Sequence, residues 1–288
     1  MKDLLTVDKI FILQESGVYL QDTVALFYDL KPLLRAGVSH WKFDAFKEAL
    51  SKLGFKLLTM EPRGPNKENF NCIISKSEKK LKEYHKAEEN MEMGRSDDSL
   101  GKLFGYPRCC IEEFTKNTSM NKSLPPMTLL NTKGESDFRL NYLYSFDSRQ
   151  FNYEEFNRVT KGYLLSNNYL IPYIPCSFNC KESIKYAQKL LDILKLEFPE
   201  YHEKLTFFLK KPILFFSDFV FFPLTGKMEG NKLSYKSFSK IHDYLPIKIV
   251  KLLEKGSVIK KENNNLQIYK NSRYVDKLPS SVELFNFE

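Results

Sequence analysis

Gly105-Tyr106-Pro107-Arg108-Cys109-Cys110-Ile111-Glu112-Glu113-Phe114 is the stretch around which this chain is organised, and Pro175-Cys176-Ser177-Phe178-Asn179-Cys180 is its distant partner. Together they hold four of the five cysteines, as an adjacent pair and a Cys-x3-Cys, with 65 residues between Cys110 and Cys176. Pro107 after Gly105 places a helix start here, because proline's missing N–H costs nothing in a first turn. Glu112 and Glu113 suit the same helix N-terminal region. Cys109 and Cys110 are therefore expected in the first turn of a helix running to about Lys116. On the other side, residues 169–175 read as extended. Ser177 is expected to cap a helix from about Asn179 that carries Cys180, Ile184, Ala187, Leu190, Leu191 and Ile193 or Leu194 on its apolar side. The expectation is geometric: two helix starts converge and bring four sulfurs around one centre.

This placement has chemical consequences. A helix N-terminus favours the thiolate, the form that binds metal or attacks an electrophile, and Arg108 is expected to add to that. Four cysteines make either a closed tetrahedral zinc site or the holder of an iron–sulfur cluster. Cys176 and Cys180 have the spacing of a zinc-chelating pair. Adjacent Cys109 and Cys110 do not, and a cubane with its irons apart accepts neighbours more easily. Spacing thus favours a 4Fe–4S cluster on Cys109, Cys110, Cys176 and Cys180, in a redox or cluster-dependent enzyme acting on a small-molecule or macromolecular substrate. If one cysteine is not a ligand, an open iron acts as a Lewis acid. The alternative from another class is a non-catalytic, zinc-stabilised module that binds nucleic acid or protein. Two further readings stay open: Cys109 and Cys110 as a metal-free nucleophile or redox pair, and plain core packing.

The bulk of the chain sets the limits. Its 288 residues, 42% of them hydrophobic and 28% charged, suit a globular protein of one large or two to three small domains. No apolar run is long enough for a transmembrane helix, and Asp8 and Lys9 interrupt any signal-peptide core, so a cytoplasmic location is expected, with no membrane partner. In that compartment clustered cysteines read as metal ligands or redox groups rather than disulfides. The net charge of +8 is spread thinly, with no block of like charges, and points only weakly to nucleic acid.

The remaining pattern predicts an α+β fold in three parts. Residues 1–76 form a mixed α/β segment: a short element at 9–15, a helix from Tyr19 towards Leu34 that Pro32 ends or kinks, a helix over Trp41–Leu53 stopped by Gly54, and strands at Phe55–Met60 and Phe70–Ser75. Cys72 lies in the second strand and reads as a buried apolar residue. Residues 77–210 form the helical cysteine region, entered through a charged, solvated helix at Ser77–Met91 and a capped turn of helix at Leu100–Phe104. The stretch 117–150 is a long loop with a short helix, 151–165 is helical, and Phe198–Lys210 follows as another helix. Residues 211–288 form a β-rich domain, with strands near Ile213–Phe222, Lys232–Phe238, Ser257–Ile259, Leu266–Tyr269 and Val282–Phe285, and a short helix at Ile247–Leu253. Asn263 to Asn265 form a hairpin turn.

Outside the cysteines little points to chemistry. His40, His85, His202 and His242 are scattered, with only His85 placed to approach the cysteine region. Asp218 reads either as a buried acid or as a turn residue. There is no phosphate-binding glycine loop and no zinc-protease motif. The Cys176-x3-Cys180 spacing opens a radical-SAM pattern, but residue 183, where its third cysteine belongs, is Ser.

Leu-Phe-Gly-Tyr-Pro-Arg-Cys-Cys-Ile-Glu-Glu-Phe (residues 103–114), followed by Ile-Pro-Cys-Ser-Phe-Asn-Cys-Lys-Glu-Ser (residues 174–183), resembles a mostly archaeal family, domain of unknown function 483 (DUF483). The resemblance runs from about residue 80 to the C-terminal β region and leaves the first 75 residues outside. It implies that Cys109, Cys110, Cys176 and Cys180 act together.

Overall fold

The computed structural model describes Leu13 and residues 18–60, 69–92, 99–119, 124–143, 169–217, 220–238, 247–263 and 265–287. Within them the protein is α+β, with two antiparallel sheets and a β-rich C-terminal region. The expected elements at residues 9–15 (Leu13 apart) and 151–165, together with Asp218 and His242, lie outside the described residues.

The N-terminal segment opens with helix α1 (Leu20–Phe27). Its helical leucine spacing continues in sequence to Leu34, but the helix does not. Pro32 has no N–H for a helical bond, and Leu34–Ser39 instead forms strand β1, with alternating burial. Helix α2 (Phe43–Lys52) follows one turn of 3-10 helix and ends at Gly54, whose φ of 74° is the left-handed conformation that stops a helix. Strands β2 (Lys56–Met60) and β3 (Asn69–Ser75) complete a sheet of order β1-β3-β2.

Side chains of β3 divide between the faces of this sheet, as a period of two requires. Cys72 and Ile74 join Val38, Phe46 and Leu50 in one core. Ile73 points the other way, onto Leu81 and Tyr84 of helix α3 (Glu78–Glu92). This corrects the solvated reading of that helix: its charged residues hide a stripe of Leu81, Tyr84, Ala87 and Glu88, all buried.

Five helices make the centre. They are α4 (Ser99–Leu103), α5 (Arg108–Ser119), α6 (Leu124–Leu130) and α7 (Lys181–Glu197), with α8 (Pro199–Leu209) stacked on α7. Ala187, Leu190, Leu191 and Leu194 of α7 bury the face the sequence predicted, against Leu20, Val24 and Ala25 of α1 and Leu140 and Leu143 of the loop after α6. Buried Asn141 donates through Nδ2 to the Leu209 carbonyl at 2.8 Å, answering one of the open carbonyls at the end of α8.

The C-terminal sheet has the order β10-β4-β5-β6-β7-β8-β9. Its strands are β4 (Ile213–Ser217), β5 (Val220–Glu229), β6 (Lys232–Phe238), β7 (Val258–Glu262), β8 (Asn265–Lys270), β9 (Arg273–Lys277) and β10 (Glu283–Phe285). The chain meanders from β4 to β9 and then returns β10 to the outer edge of β4. Alternation along β4, β5 and β10 joins two cores. Ile213, Phe215, Phe221 and Phe285 face the central helices. Leu214, Phe222 and Leu284 face a second core closed by Ile249 and Leu253 of helix α9 (Ile247–Lys255). The sheet is bent by register shifts, one of them at Thr225/Gly226. A Cβ on Gly226 would meet the Ser234 carbonyl oxygen at 2.3 Å, so only glycine fits that approach.

Candidate metal centre

Two chain segments carry the sulfurs. In the first, Gly105 takes a φ of 80°, a conformation that favours glycine, and turns the chain out of α4 into Tyr106-Pro107. The Pro107 carbonyl then accepts from the N–H groups of Cys110 (3.0 Å) and Ile111 (3.1 Å), which starts α5. Cys109 and Cys110 sit in its first turn, as expected. Cys109 is exposed at the surface and Cys110 is buried.

The second segment differs in detail from its expectation. Helix α7 begins at Lys181, not Asn179, and its N-cap is Cys180 itself. Ser177 caps nothing through its side chain. Its hydroxyl donates to Asn179 Oδ1 at 3.0 Å, and its carbonyl accepts from the Cys180 N–H at 3.2 Å. Cys176 therefore lies on a turn ahead of the helix. The turn is held by groups that sequence reasoning missed. Thr128 Oγ1 donates to the Pro175 carbonyl (3.3 Å), Asn131 Nδ2 to the Cys176 carbonyl (3.2 Å), and the Phe178 N–H to Thr132 Oγ1 (2.8 Å). All three side chains come from α6 and its C-terminal end, inside the stretch read as a long loop. Their polarity, at positions i, i+3 and i+4, was the signal available.

The four sulfurs converge. Cys109 Sγ lies 3.9 Å from Cys110 Sγ and 3.7 Å from Cys180 Sγ, and Cys110 Sγ is 3.7 Å from Cys180 Sγ. With Cys176, all four lie within 4.8 Å of one another and form a group that could hold a metal ion. The Cys109–Cys110 gap is close to the distances of both sulfurs from Cys180, although the two residues are adjacent in sequence. Two further groups touch the sulfurs. The Cys176 N–H donates to Cys110 Sγ at 3.3 Å, and Ser183 Oγ lies 3.3 Å from the same sulfur. Ser183 is fully buried. It is the residue where a radical-SAM cysteine would stand, and it is instead a hydroxyl neighbour of the Cys110 sulfur.

The electrostatics follow from crowding. Arg108 is mostly exposed and bonds Glu112 Oε1 at 2.6 Å, so it does not activate the thiols as expected. Burial pushes the Cys109 thiol up. Hydrogen bonds to Cys176 and Cys180, with burial, push Cys110 up strongly. Cys180 goes the other way, pulled down by hydrogen bonds from Cys110 and Cys176. Four sulfurs this close thus hold one negative charge readily, and further thiolates repel it. A cation at the centre removes that repulsion and lets every thiol ionise.

The remaining candidates do not join the group. His85 is exposed and pairs with Glu89 at 3.5 Å. His40 stacks on Phe70 with ring centroids 4.1 Å apart. Cys72 is buried in β3, and burial pushes its thiol up to about 11. Iodoacetamide on the native protein is therefore expected to leave Cys72 unmodified, with all five cysteines reacting after denaturation, as peptide mass spectrometry reads out. Cys72 reacting in the folded state as fast as exposed Cys109 would contradict its burial.

An α+β protein with a four-cysteine group that could hold a metal ion, placed between two helix starts, is the class that fold and site define. Residues 72–207 match the sequence model of a family described as Protein of unknown function (DUF483). The chain resembles that family over just under half its length. The matched stretch runs from β3 into α8, takes in both cysteine motifs, and ends before the C-terminal sheet begins. Comparison with the curated proteins and with the solved structures gave no match to this chain. Among the described residues no helix is long and apolar enough to cross a membrane.

Proposed function

We propose that Cys109, Cys110, Cys176 and Cys180 bind one tetrahedral zinc ion, and that the protein is a zinc-stabilised binding module. The observation that carries this reading is the sulfur spacing, 3.7 to 3.9 Å among Cys109, Cys110 and Cys180, with Cys176 Sγ within 4.8 Å of each. Zinc–thiolate bonds of about 2.3 Å put the corners of a tetrahedron about 3.8 Å apart. A 4Fe–4S cubane bonds its four thiolates to four separate irons at its outer corners, which spreads them well beyond that distance. All four ligands come from the protein, so the site has no open position for a substrate, and its role is structural. It ties the first turn of α5 to the N-cap of α7 and to the turn that α6 holds.

The test is elemental analysis and a visible spectrum of protein purified without oxygen. The expected result is one zinc per chain and a colourless solution, with cobalt replacement producing the intense visible bands of a tetrahedral thiolate complex. A brown protein with several irons per chain and absorbance near about 400 nm would overturn zinc and restore the cluster. A metal-free protein with one rapidly alkylated cysteine would overturn both and favour the nucleophile.

A further inference from the structure

The far half of the C-terminal sheet has two faces of different character. On one, Leu233 and Tyr235 of β6, Ile259 of β7, and Leu266 and Ile268 of β8 are buried in the core that α9 closes. The alternate residues point the other way, as a period of two requires. Strand register sets them in two rows across β6, β7, β8 and β9. One row is Lys232, Lys260, Gln267 and Lys277. The next is Ser234, Val258, Tyr269 and Tyr274. The residues at the centre of these rows are half-buried beside one another, and Tyr274 at the sheet's end is 55% exposed.

The lysine row is unfavourable by itself. Lys232 and Lys260 stand directly opposite each other on neighbouring strands, where like charges destabilise a sheet. Two glutamates share the face. Glu229 of β5, opposite Lys232, bonds Lys227 at 3.1 Å, and Glu262 lies at the hairpin end of β7, opposite Asn265. Among the described residues neither is ion-paired to Lys232, Lys260 or Lys277. Asp276 stands opposite Ile268, a core residue, and belongs to the other face. Four lysines against two glutamates leave two positive charges in excess on the open face. The aromatic row adjoins that charge. The Tyr269 and Tyr274 rings meet edge to face, with centroids 5.9 Å apart. Lys260 Nζ lies 4.6 Å from the Tyr269 ring centroid, and the Tyr269 hydroxyl donates to Gln267 Oε1 at 2.5 Å. These contacts fix Tyr269 in its row and leave Tyr274 as the more open ring beside it.

We infer that this face binds single-stranded nucleic acid, with phosphates on Lys232, Lys260 and Lys277 and bases on Tyr274 and Tyr269. A basic surface that tracks the backbone, interleaved with rings on which bases stack, is how single strands are held without sequence readout. A duplex keeps its base faces stacked inside, and an acidic protein surface has no use for the rings. The inference rests on the binding-module reading above in that it names the module's partner. The face itself belongs to a core that contains none of the four cysteines, and it lies beyond the stretch of residues 72–207 that matches the family.

Fluorescence anisotropy of the full chain with labelled oligouridylate and oligothymidylate of ~12 nucleotides tests it, a length in the usual range for one module. Saturable binding in the micromolar range is expected at about 50 mM salt, and the two oligomers tell RNA from DNA. The logarithm of the binding constant is expected to fall with the logarithm of salt at a slope of about −2, three lysines contributing about −0.7 each on a single strand. Lys260→Gln should make that slope shallower by about 0.7. Tyr274→Ala should weaken binding about tenfold at an unchanged slope, since it removes stacking and no charge. Inorganic polyphosphate, poly-glutamate and a duplex of the same length are expected to compete poorly. No saturable change up to about 100 μM protein at about 50 mM salt would overturn the inference. So would any of those three competitors matching unlabelled oligouridylate, or wild-type affinity in Tyr274→Ala. Metal content of the same samples reads on the zinc centre alone, so failure of one reading is told apart from failure of the other.

Discussion

Cys180→Ser is expected to leave the chain without bound zinc and to lower its melting temperature by roughly 10 °C. Cys180 is the N-cap of α7, and its sulfur lies 3.7 Å from two of the other three. Serine there cannot supply the fourth thiolate, and three remaining sulfurs hold zinc far more weakly. The size follows from linkage. A metal held at about a thousandfold excess over its Kd contributes about 4 kcal/mol to the folded state. At roughly 2–4 °C per kcal/mol in chains of this size, that is about 10 °C. The cores around Val38 and around Leu253 contain none of the four cysteines, so the variant is expected to remain folded. Cys72→Ala is the matched control, expected to keep a full equivalent of zinc. Differential scanning calorimetry with metal analysis reads both, and a Cys180→Ser protein with wild-type zinc and melting would remove the site.

Phe178→Ala should cost about 3–5 kcal/mol, the range for deleting a fully buried aromatic ring. Phe178 is in the turn between Cys176 and Cys180, with no exposed surface. Its ring stacks on Tyr142 (5.6 Å between centroids) and meets the edges of Phe285 (5.6 Å) and Phe287 (5.1 Å). One side chain thus anchors the cysteine turn to the C-terminal sheet. Its loss should also loosen the turn, so that a chelator strips the metal at lower concentration than from wild type. Urea unfolding and chelator competition measure the two effects separately. Phe207, 58% exposed, is the contrast, and Phe207→Ala is expected to change stability by less than about 0.5 kcal/mol. A Phe178→Ala protein within 1 kcal/mol of wild type would show that the anchor is not there.

The failures of sequence reading have a common cause. β1 was read as the end of a helix because Leu33 and Leu34 continue the spacing begun at Leu20. The strand exists because β3 pairs with it residue by residue, Leu34 to Ile74 through Ser39 to Asn69. β9 was missed because Arg273–Lys277 is mostly exposed and charged, and takes its strand form from β8. The helix expected to be charged and solvated buries Leu81 and Tyr84 because Ile73 of β3 supplies the surface they cover. In each case a contact from elsewhere in the chain outweighs local pattern.

Sequence alone determined the helix starts and stops that proline and glycine mark, the left-handed turns at Gly54 and Gly105, most strands, and the pairing of two cysteine motifs into one site. Those features are local: fixed φ, missing N–H groups and alternating burial need no partner to be legible. Only the tertiary structure decided the sulfur spacing and the choice of Ser183 and the α6 side chains as neighbours. A sulfur–sulfur distance between Cys109 and Cys180 depends on how α5 and α7 pack across 71 positions of chain. That packing is set by burial in the central core, where Phe178, Cys110 and Cys180 of the motifs pack with Ala187, Leu190 and Leu194 of α7.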